Sequence, residues 1–290
     1  MTLSAQAAYT DMRTSDEVRQ RVAVDIDKLC RSFVSRQNVV VHALSNISLQ
    51  VRPHEVVAVL GPSGCGKSSL LRILASLDAE YDGQIKWALQ DDGAAGQRLH
   101  SATVFQSDST LPWMNVEKNI LLGMSGLQVG SKEAQRRVAH YLGLVGLSAF
   151  RHAYPHELSG GMRQRVAIAR ALATEPLLLL MDEPLAALDA QTRLVMQQEL
   201  LRIWEDTKST VVYITHDIGE ALTLAQRVVV MTARPGRIKA IIDVPFTGKR
   251  DVVELRRNPV FGSLEADLWA LVAEEVGGAL DKTVQSGGQE

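Results

Sequence analysis

Cysteine and long apolar runs are both scarce in this chain of 290 residues. Cys30 and Cys65 are the only cysteines, and their spacing fits neither a metal-binding nor a redox motif. A secreted fold stapled by disulfides is therefore not expected, and a reducing compartment fits. Apolar runs such as residues 177–181 span five residues, whereas a membrane-spanning helix needs about 18. We expect that the chain does not itself cross a membrane.

An excess of charge of one sign is also lacking. Lys and Arg number 31 and Asp and Glu number 33, for a net charge of −2. A protein that binds nucleic acid by neutralising phosphates is normally basic, so no nucleic-acid partner is predicted. Residues 1–21 are polar and contain no apolar segment of the kind a signal peptide needs. We expect them to form a flexible N-terminal extension.

Short apolar runs alternate with helical patterns between residues 22 and 243. The predicted strands are residues 44–51, 56–60, 102–105, 177–181, 211–215 and 228–231. The predicted helices are residues 67–77, 115–124, 133–144, 161–173, 191–204 and 218–225. This alternation predicts an α/β fold with a largely parallel, covered sheet, into which the mixed stretch 83–158 inserts a helical subdomain.

Residues 244–290 are predicted to be a C-terminal appendage, because the alternation stops at about Asp243. One amphipathic helix is expected there, on the spacing of its apolar residues. These residues are Phe261, Leu264, Leu268, Leu271, Val272 and Val276. The role of this appendage stays open at the level of sequence.

A glycine-rich loop at residues 61–69 carries the strongest chemical signal. It follows an apolar strand, precedes a helix and matches the phosphate-binding pattern G-x-x-x-x-G-K-[ST]. Glycines allow several N–H groups to face one anion, and the following helix presents its positive end to phosphate. The predicted nucleotide-binding residues are Gly61, Pro62, Ser63, Gly64, Cys65, Gly66, Lys67, Ser68 and Ser69. Lys67 would reach the β- and γ-phosphates of ATP, and the Ser68 hydroxyl would bind Mg²⁺.

Two adjacent carboxylates, Asp182 and Glu183, end the apolar strand 177–181. Because successive side chains of a strand point to opposite sides, the two carboxylates can take different roles. Asp182 would support Mg²⁺, and Glu183 would act as the general base toward the attacking water. The alternative, that the strand simply ends in a wet loop, is weakened by the nearby phosphate loop.

The segment at residues 158–165, which reads LSGGMRQR, resembles the signature motif of ATP-binding-cassette (ABC) ATPases. Met162 stands where Gln is more usual. The family's other motifs also occur in the expected order along the chain. Gln106 resembles the Q-loop glutamine, Leu188 and Asp189 resemble the D-loop, and His216 resembles the switch histidine. Phe33 resembles the aromatic residue that stacks on adenine. The resemblance covers about residues 22–242.

This resemblance implies a P-loop NTPase fold with a parallel-sheet core, a small antiparallel β part and an inserted helical subdomain. It implies that Gln106 senses Mg²⁺ and that His216 contacts the γ-phosphate and holds the attacking water. Ser159, Gly160 and Gly161 open a second helix and would bind anions there. If both helix ends cannot reach one ATP, a two-fold symmetric homodimer can enclose each ATP between the phosphate loop of one copy and the signature helix of the other.

A single cassette without a spanning segment resembles the separate ATPase subunit of a bacterial importer. Residues 107–113, 232–238 and 268–271 resemble segments of the nitrate, sulfonate and taurine importer group. The resemblance implies membrane permease partners, an indirect extracytoplasmic solute-binding protein and a peripheral position at the cytoplasmic face of the inner membrane. Leu111 and Trp113 place apolar surface on a loop, as partner surfaces often do, although Trp113 could instead pack on the helical subdomain.

Other classes are less consistent with these residues. An ABC ATPase of DNA repair or translation would need a coiled-coil insertion or a second cassette, and a scaffold that does not hydrolyse ATP would be expected to lose Glu183 or His216. A nucleotide kinase shares the phosphate loop but has no use for the signature helix. The transported solute is not encoded here, because it does not touch this chain.

Overall fold

The computed structural model describes residues 23–34, 38–87, 101–106 and 109–286, with side chains described up to residue 275. The predicted extension at residues 1–21 lies outside this part of the chain. So do Ser107 and Asp108 of the importer-like loop and the side chain of Val276.

A six-stranded sheet forms the centre of the fold, with strand order β5-β6-β7-β3-β8-β9. Its strands are β3 (Val56–Leu60), β5 (Ser101–Val104), β6 (Leu178–Asp182), β7 (Val211–Ile214), β8 (Arg227–Met231) and β9 (Ile238–Asp243). All pairings are parallel except that of β9 with β8. Every residue of β3, β7 and β8 is buried, as expected for parallel strands covered on both faces. The predicted α/β fold is confirmed.

A smaller antiparallel sheet contains β1 (Val24–Val34), β2 (Val40–Val51) and β4 (Asp82–Trp87) in the order β2-β1-β4. Of these, only part of β2 was predicted. The pairing of β1 shifts register several times, and Lys28 has a positive φ of 50°. These irregularities interrupt the apolar–polar alternation by which a strand is recognised. The strand β4 also shows that the helical insertion begins later than residue 83.

The helices in chain order are α1 (Lys67–Leu74), α2 (Val116–Gly123), α3 (Ser131–Leu144), α4 (Gly160–Leu172), α5 (Ala190–Thr207), α6 (Ile218–Leu224), α7 (Val252–Arg257) and α8 (Pro259–Ser286). The prediction that the first helix continues to Leu77 is wrong. Ser76 has a φ of 57°, which the helix cannot accommodate, and Leu77 is 57% exposed. Helices α2, α3 and α4 lie between β5 and β6 along the chain, and α2 and α3 belong to the predicted helical insertion.

Two helices, rather than the predicted one, follow Asp243. Val252 and Leu255 of α7 and Phe261 and Leu268 of α8 are buried in the main core. Helix α8 packs against α6 and β8, so this segment lies along the central sheet. In the described part of the chain, no helix combines the length and apolarity needed to span a membrane.

Candidate functional site: a phosphate loop beside three strand ends

The phosphate loop connects the buried strand β3 to helix α1, as its pattern predicts. Gly64 and Gly66 have φ values of 74° and 106°, which L side chains rarely adopt. A Cβ atom on Gly66 would also lie 2.7 Å from Leu44 Cδ2 and 2.8 Å from the Ala43 carbonyl oxygen. Glycine is therefore required at position 66 by both its backbone conformation and its neighbours.

The ammonium group of Lys67 spans this loop from the first turn of α1. Lys67 Nζ donates to the carbonyl oxygens of Gly61 at 2.7 Å and Pro62 at 3.0 Å. Lys67 is largely buried, so its charge is held in place by the fold.

Cys65 is a buried loop residue rather than an exposed thiol. It is only 1% exposed, and burial raises the pKa of its thiol above the ordinary value, with Lys67 acting in the opposite direction. A redox role is disfavoured, because a reactive cysteine is normally accessible and has a lowered pKa. The thiol is also tightly packed, because a Cβ atom on Gly61 would lie only 2.9 Å from Cys65 Sγ.

Asp182 and Glu183 lie at the end of β6 and differ in environment. Burial raises the pKa of Asp182, and the neighbouring charge of Glu183 raises it further, whereas Lys67 and a hydrogen bond from Ser68 lower it. Asp182 therefore lies beside both the hydroxyl and the ammonium of the phosphate loop.

The residues present fit a bound Mg²⁺ ion. Mg²⁺ prefers oxygen ligands and is usually held by one or two protein groups together with substrate phosphates and water. The Ser68 hydroxyl and the Asp182 carboxylate share a hydrogen bond and supply such a set. Among the described residues, no group of three or more His, Cys, Asp or Glu side chains could hold a metal ion, so a site of this kind would depend on the nucleotide's phosphates.

Three predicted site residues converge at the ends of neighbouring strands. Glu183 Oε2 lies 3.2 Å from His216 Nδ1 and 3.4 Å from Gln106 Nε2. Gln106 follows β5, Glu183 follows β6 and His216 follows β7, and these strands are adjacent in the sheet. Glu183 has a φ of 44°, and its N–H donates to the Ile214 carbonyl at 2.9 Å. The sheet order thus places an amide, a carboxylate and an imidazole around one point.

A cavity of about 470 Å³ adjoins this cluster and the phosphate loop. Its lining comprises Phe33, Val41, Ala43, Ser63, Gly64, Gly66, Lys67, Ser68, Ser69, Glu183 and Arg234. Phe33 lies on the wall of this cavity, with the Arg31 guanidinium 4.2 Å from its ring centroid. Arg234 was not predicted as a site residue, because it comes from the distant turn between β8 and β9.

The signature residues lie at a separate helix end. Ser159 caps α4, and its hydroxyl accepts a hydrogen bond from the Met162 N–H at 3.3 Å. Gly160 begins the helix and is exposed. Gly161 is buried, and a Cβ atom on it would lie 3.3 Å from Thr192 Cγ2. None of the signature residues is among the described residues that line the cavity.

Asp189 caps α5 beside the signature helix. Its carboxylate accepts hydrogen bonds from the N–H groups of Gln191 and Thr192 and from the Thr192 hydroxyl, and these bonds lower its pKa. Arg193, one turn further, donates to the Leu188 carbonyl at 3.0 Å and to Asp217 at 3.4 Å. The D-loop and the segment that follows His216 are therefore directly linked.

Comparison with known proteins identifies the family. The ABC transporter family profile matches residues 44–186. An uncharacterised ABC transporter ATP-binding protein of Methanocaldococcus jannaschii is 45% identical over 83% of this chain and 90% of the relative. The chain belongs to the family of ABC transporter ATP-binding proteins. It is therefore an ABC-type ATPase.

Other relatives of this ABC ATPase carry more specific names. The taurine import ATP-binding protein of Rhizobium johnstonii is 43% identical over 85% of this chain and 95% of the relative. The aliphatic sulfonates import ATP-binding protein of Bacillus cereus is 43% identical over 77% and 86%. An ATP-binding cassette solved as a dimer in a post-hydrolysis state with ADP and Pi matches with a TM-score of 0.63 and 29% identity, over 77% of this chain and all of the other.

Proposed function

We propose that this ABC ATPase energises a membrane importer of small anionic solutes of the nitrate, taurine or alkanesulfonate type. The observation that carries the proposal is the convergence of Gln106, Glu183 and His216 beside the phosphate loop. The similarity to taurine and aliphatic sulfonate import proteins favours a sulfonate within that class. Residues 22–243 would form the nucleotide-binding domain, with residues 244–290 as its appendage.

ATP would bind with its phosphates on the loop of residues 61–69 and its adenine against Phe33. The loop N–H groups and the end of α1 favour anionic groups, and Lys67 adds a positive charge. Ser68, Asp182 and Gln106 would hold Mg²⁺, which neutralises developing charge on the phosphates.

Glu183 would accept the proton of the attacking water. The water oxygen forms a bond to the γ-phosphorus, the bond from that phosphorus to the bridging oxygen of ADP breaks, and inorganic phosphate leaves. His216 and Gln106 lie within reach of the same carboxylate oxygen, so they can hold Glu183 and the water in position.

A second copy of the chain would complete the site with Ser159, Gly160, Gly161 and Asp189. Two observations support this part of the proposal. The signature helix end lies outside the cavity formed by the described residues, and a similar cassette has been solved as a dimer. Closure of the dimer on ATP and its opening after hydrolysis would drive the permease subunits between two states.

The permease would contact this chain at the cytoplasmic face of the inner membrane. Trp113 is 70% exposed, so it does not pack into the helical insertion. A large exposed aromatic side chain is typical of a protein-binding surface. A solute-binding protein would deliver the solute to the permease and would not touch this chain.

The test is the substitution Glu183→Gln. Loss of the general base should lower ATP hydrolysis about a thousand-fold, while equilibrium binding of ATP stays within a few-fold of wild type. The matched control is Glu254→Gln, an exposed glutamate of α7. In cells, Glu183→Gln should abolish uptake of radiolabelled taurine or alkanesulfonate. Hydrolysis near the wild-type rate would exclude Glu183 as the base.

A further inference from the structure

The turn at residues 232–237, here named the Arg234 turn, is packed directly against the phosphate loop. The Gly236 N–H donates to the Ala43 carbonyl at 2.9 Å, and the Gly236 carbonyl accepts from the Ser45 N–H at 2.9 Å. A Cβ atom on Gly236 would lie 2.0 Å from the Cys65 carbonyl oxygen. No residue other than glycine fits at position 236 unless the turn moves away from the phosphate loop.

Arg234 extends from this turn into the nucleotide cavity. Its Nε donates to the Gly64 carbonyl at 3.2 Å, and its side chain lines the cavity together with Lys67. Arginine carries five N–H donors, and within the described part of the chain one of them makes this hydrogen bond. The guanidinium therefore adds a second fixed cation to the wall of a cavity whose proposed ligand carries several negative charges, and a guanidinium suits phosphate oxygens in charge and geometry.

The C-terminal helix α8 holds this turn in place through Glu275. The Glu275 carboxylate accepts a hydrogen bond from the Ala233 N–H at 2.9 Å, the residue next to Arg234. Glu275 also pairs with Lys239 at 2.8 Å, and Lys239 Nζ pairs with Glu274 at 2.7 Å and donates to the Leu271 carbonyl at 3.0 Å. A chain of contacts thus joins α8 to the phosphate loop.

We propose that Arg234 binds the phosphate groups of the nucleotide and that Glu275 of α8 positions it. The proposal rests on the proposed nucleotide site at residues 61–69. It gives part of the C-terminal segment a role, namely to set the affinity of that site. Arg234 is a binding residue in this scheme, and Glu275 acts through it.

The first experiment measures nucleotide affinity by calorimetric titration. The titrants are ADP and an ATP analogue with a methylene bridge between the β- and γ-phosphorus atoms. Arg234→Ala should weaken binding of at least one titrant about tenfold, as expected for loss of a hydrogen bond to a charged group. Arg237→Ala is the matched control, because Arg237 is an exposed arginine of the same turn that does not line the cavity. It should bind like wild type.

A second variant separates phosphate binding from support of the loop. Arg234→Gln removes the charge but keeps an N–H group that can donate to the Gly64 carbonyl. If Arg234 contacts phosphate, Arg234→Gln should bind as weakly as Arg234→Ala, and the deficit should shrink as ionic strength rises. Arg234→Lys should restore most of the affinity. Wild-type affinity in Arg234→Gln would contradict the proposal and would reduce Arg234 to a support of the loop.

The role of Glu275 is tested against its neighbour. Glu275→Ala should weaken binding about threefold, whereas Glu274→Ala, which also loses a partner of Lys239 but none of the Arg234 turn, should not. If Glu275 acts through Arg234, the double variant with Arg234→Ala should bind no more weakly than Arg234→Ala alone. Additive losses would show that Glu275 does not work through Arg234.

Lys67→Ala distinguishes failure of this inference from failure of the proposed function. If Lys67→Ala loses affinity and Arg234→Ala does not, the nucleotide site stands and Arg234 is not part of it. If neither variant loses affinity, the nucleotide does not bind at residues 61–69, and both proposals fall. Thermal unfolding of each variant identifies any that has failed to fold.

Discussion

Two helix beginnings in this protein carry serine and glycine, yet they differ in what surrounds them. Helix α1 begins after Gly66, which supplies no side-chain cap, and Lys67, Ser68, Asp182 and Glu183 lie around it. Helix α4 begins after Ser159, whose own hydroxyl occupies the Met162 N–H. The start of α1 therefore lies among charged and polar side chains around a cavity. The start of α4 instead presents the exposed residues Ser159 and Gly160.

This difference shows why a helix start alone does not make a site. The positive end of a helix favours an anion by about 1 kcal/mol or less when it is exposed. The convergence of Gln106, Glu183 and His216 and the cavity beside them come from the order of strands in the sheet. Among the described residues, the tip of α4 lies outside that cavity, and the proposed dimer would bring it to the nucleotide of a second copy.

The largest expected difference between the two helix starts comes from adding one methyl group at each. Gly66→Ala places a Cβ atom against Leu44 and Ala43 in a backbone region that disfavours alanine, so the free energy of unfolding should fall by about 2–4 kcal/mol. Among the described residues, the Cβ atom of Gly160→Ala would meet Arg163 Nη2 at 3.8 Å, so this substitution should change stability little. Denaturant unfolding of both variants measures the difference. Equal losses would show that the phosphate loop does not need its observed backbone.

The glycines and Lys67 could be placed from sequence because their pattern is local. Strand β3, the loop and helix α1 follow one another without interruption, so residue spacing alone defines the geometry. The role of Glu183 is predicted from its strand end and those of Gln106 and His216 from resemblance, and the sheet order explains why the three side chains converge. Asp189 and Ser159 cap their helices, and Gly160 and Gly161 form the first turn of α4, but no contact among the described residues tests their proposed roles.

Arg234 and strands β1 and β9 could not be predicted in the same way. Arg234 reaches the phosphate loop because β9 returns antiparallel to β8 and the turn between them packs against β2. No local pattern signals that contact. Strand β9 is only partly buried, and β1 is irregular, so neither has the regular apolar pattern that identified β3 and β7. The group-specific segment at residues 232–238 was the one available signal for Arg234.

A smaller effect is expected from removing the side-chain cap of α4. Ser159→Ala removes the cap of α4 and should lower the free energy of unfolding by about 1 kcal/mol. Asn115→Ala is the matched control, because the Asn115 side chain caps α2 by accepting from the Lys118 N–H at 2.9 Å. Both variants should bind ADP normally as monomers, but only Ser159→Ala should lower ATP hydrolysis. Equal hydrolysis in the two variants would contradict a role for Ser159 beyond capping.

The smallest expected effect is on the pH dependence of stability, to which Asp182 near α1 and Asp189 near the tip of α4 should contribute in opposite directions. Burial raises the pKa of Asp182, so the folded state binds the proton more tightly than the unfolded state. The contribution of Asp182 to stability therefore falls as the pH rises from the ordinary aspartate pKa through the raised one. Hydrogen bonds lower the pKa of Asp189, so its contribution is present above the ordinary pKa and is lost as the pH falls through the lowered one.

Asparagine substitutions measure this contrast, because they remove each titration while keeping the size of the side chain. Relative to wild type, Asp182→Asn should become more stable as the pH rises from acid to neutral, and it should lose Mg²⁺-dependent hydrolysis. Asp189→Asn should be most stable relative to wild type at acidic pH and lose that advantage toward neutral pH. Parallel pH profiles of the free energy of unfolding for the two variants would contradict the assigned environments. Opposite slopes would show that the ionised carboxylate of Asp182, at the end of β6, is held at a cost to stability.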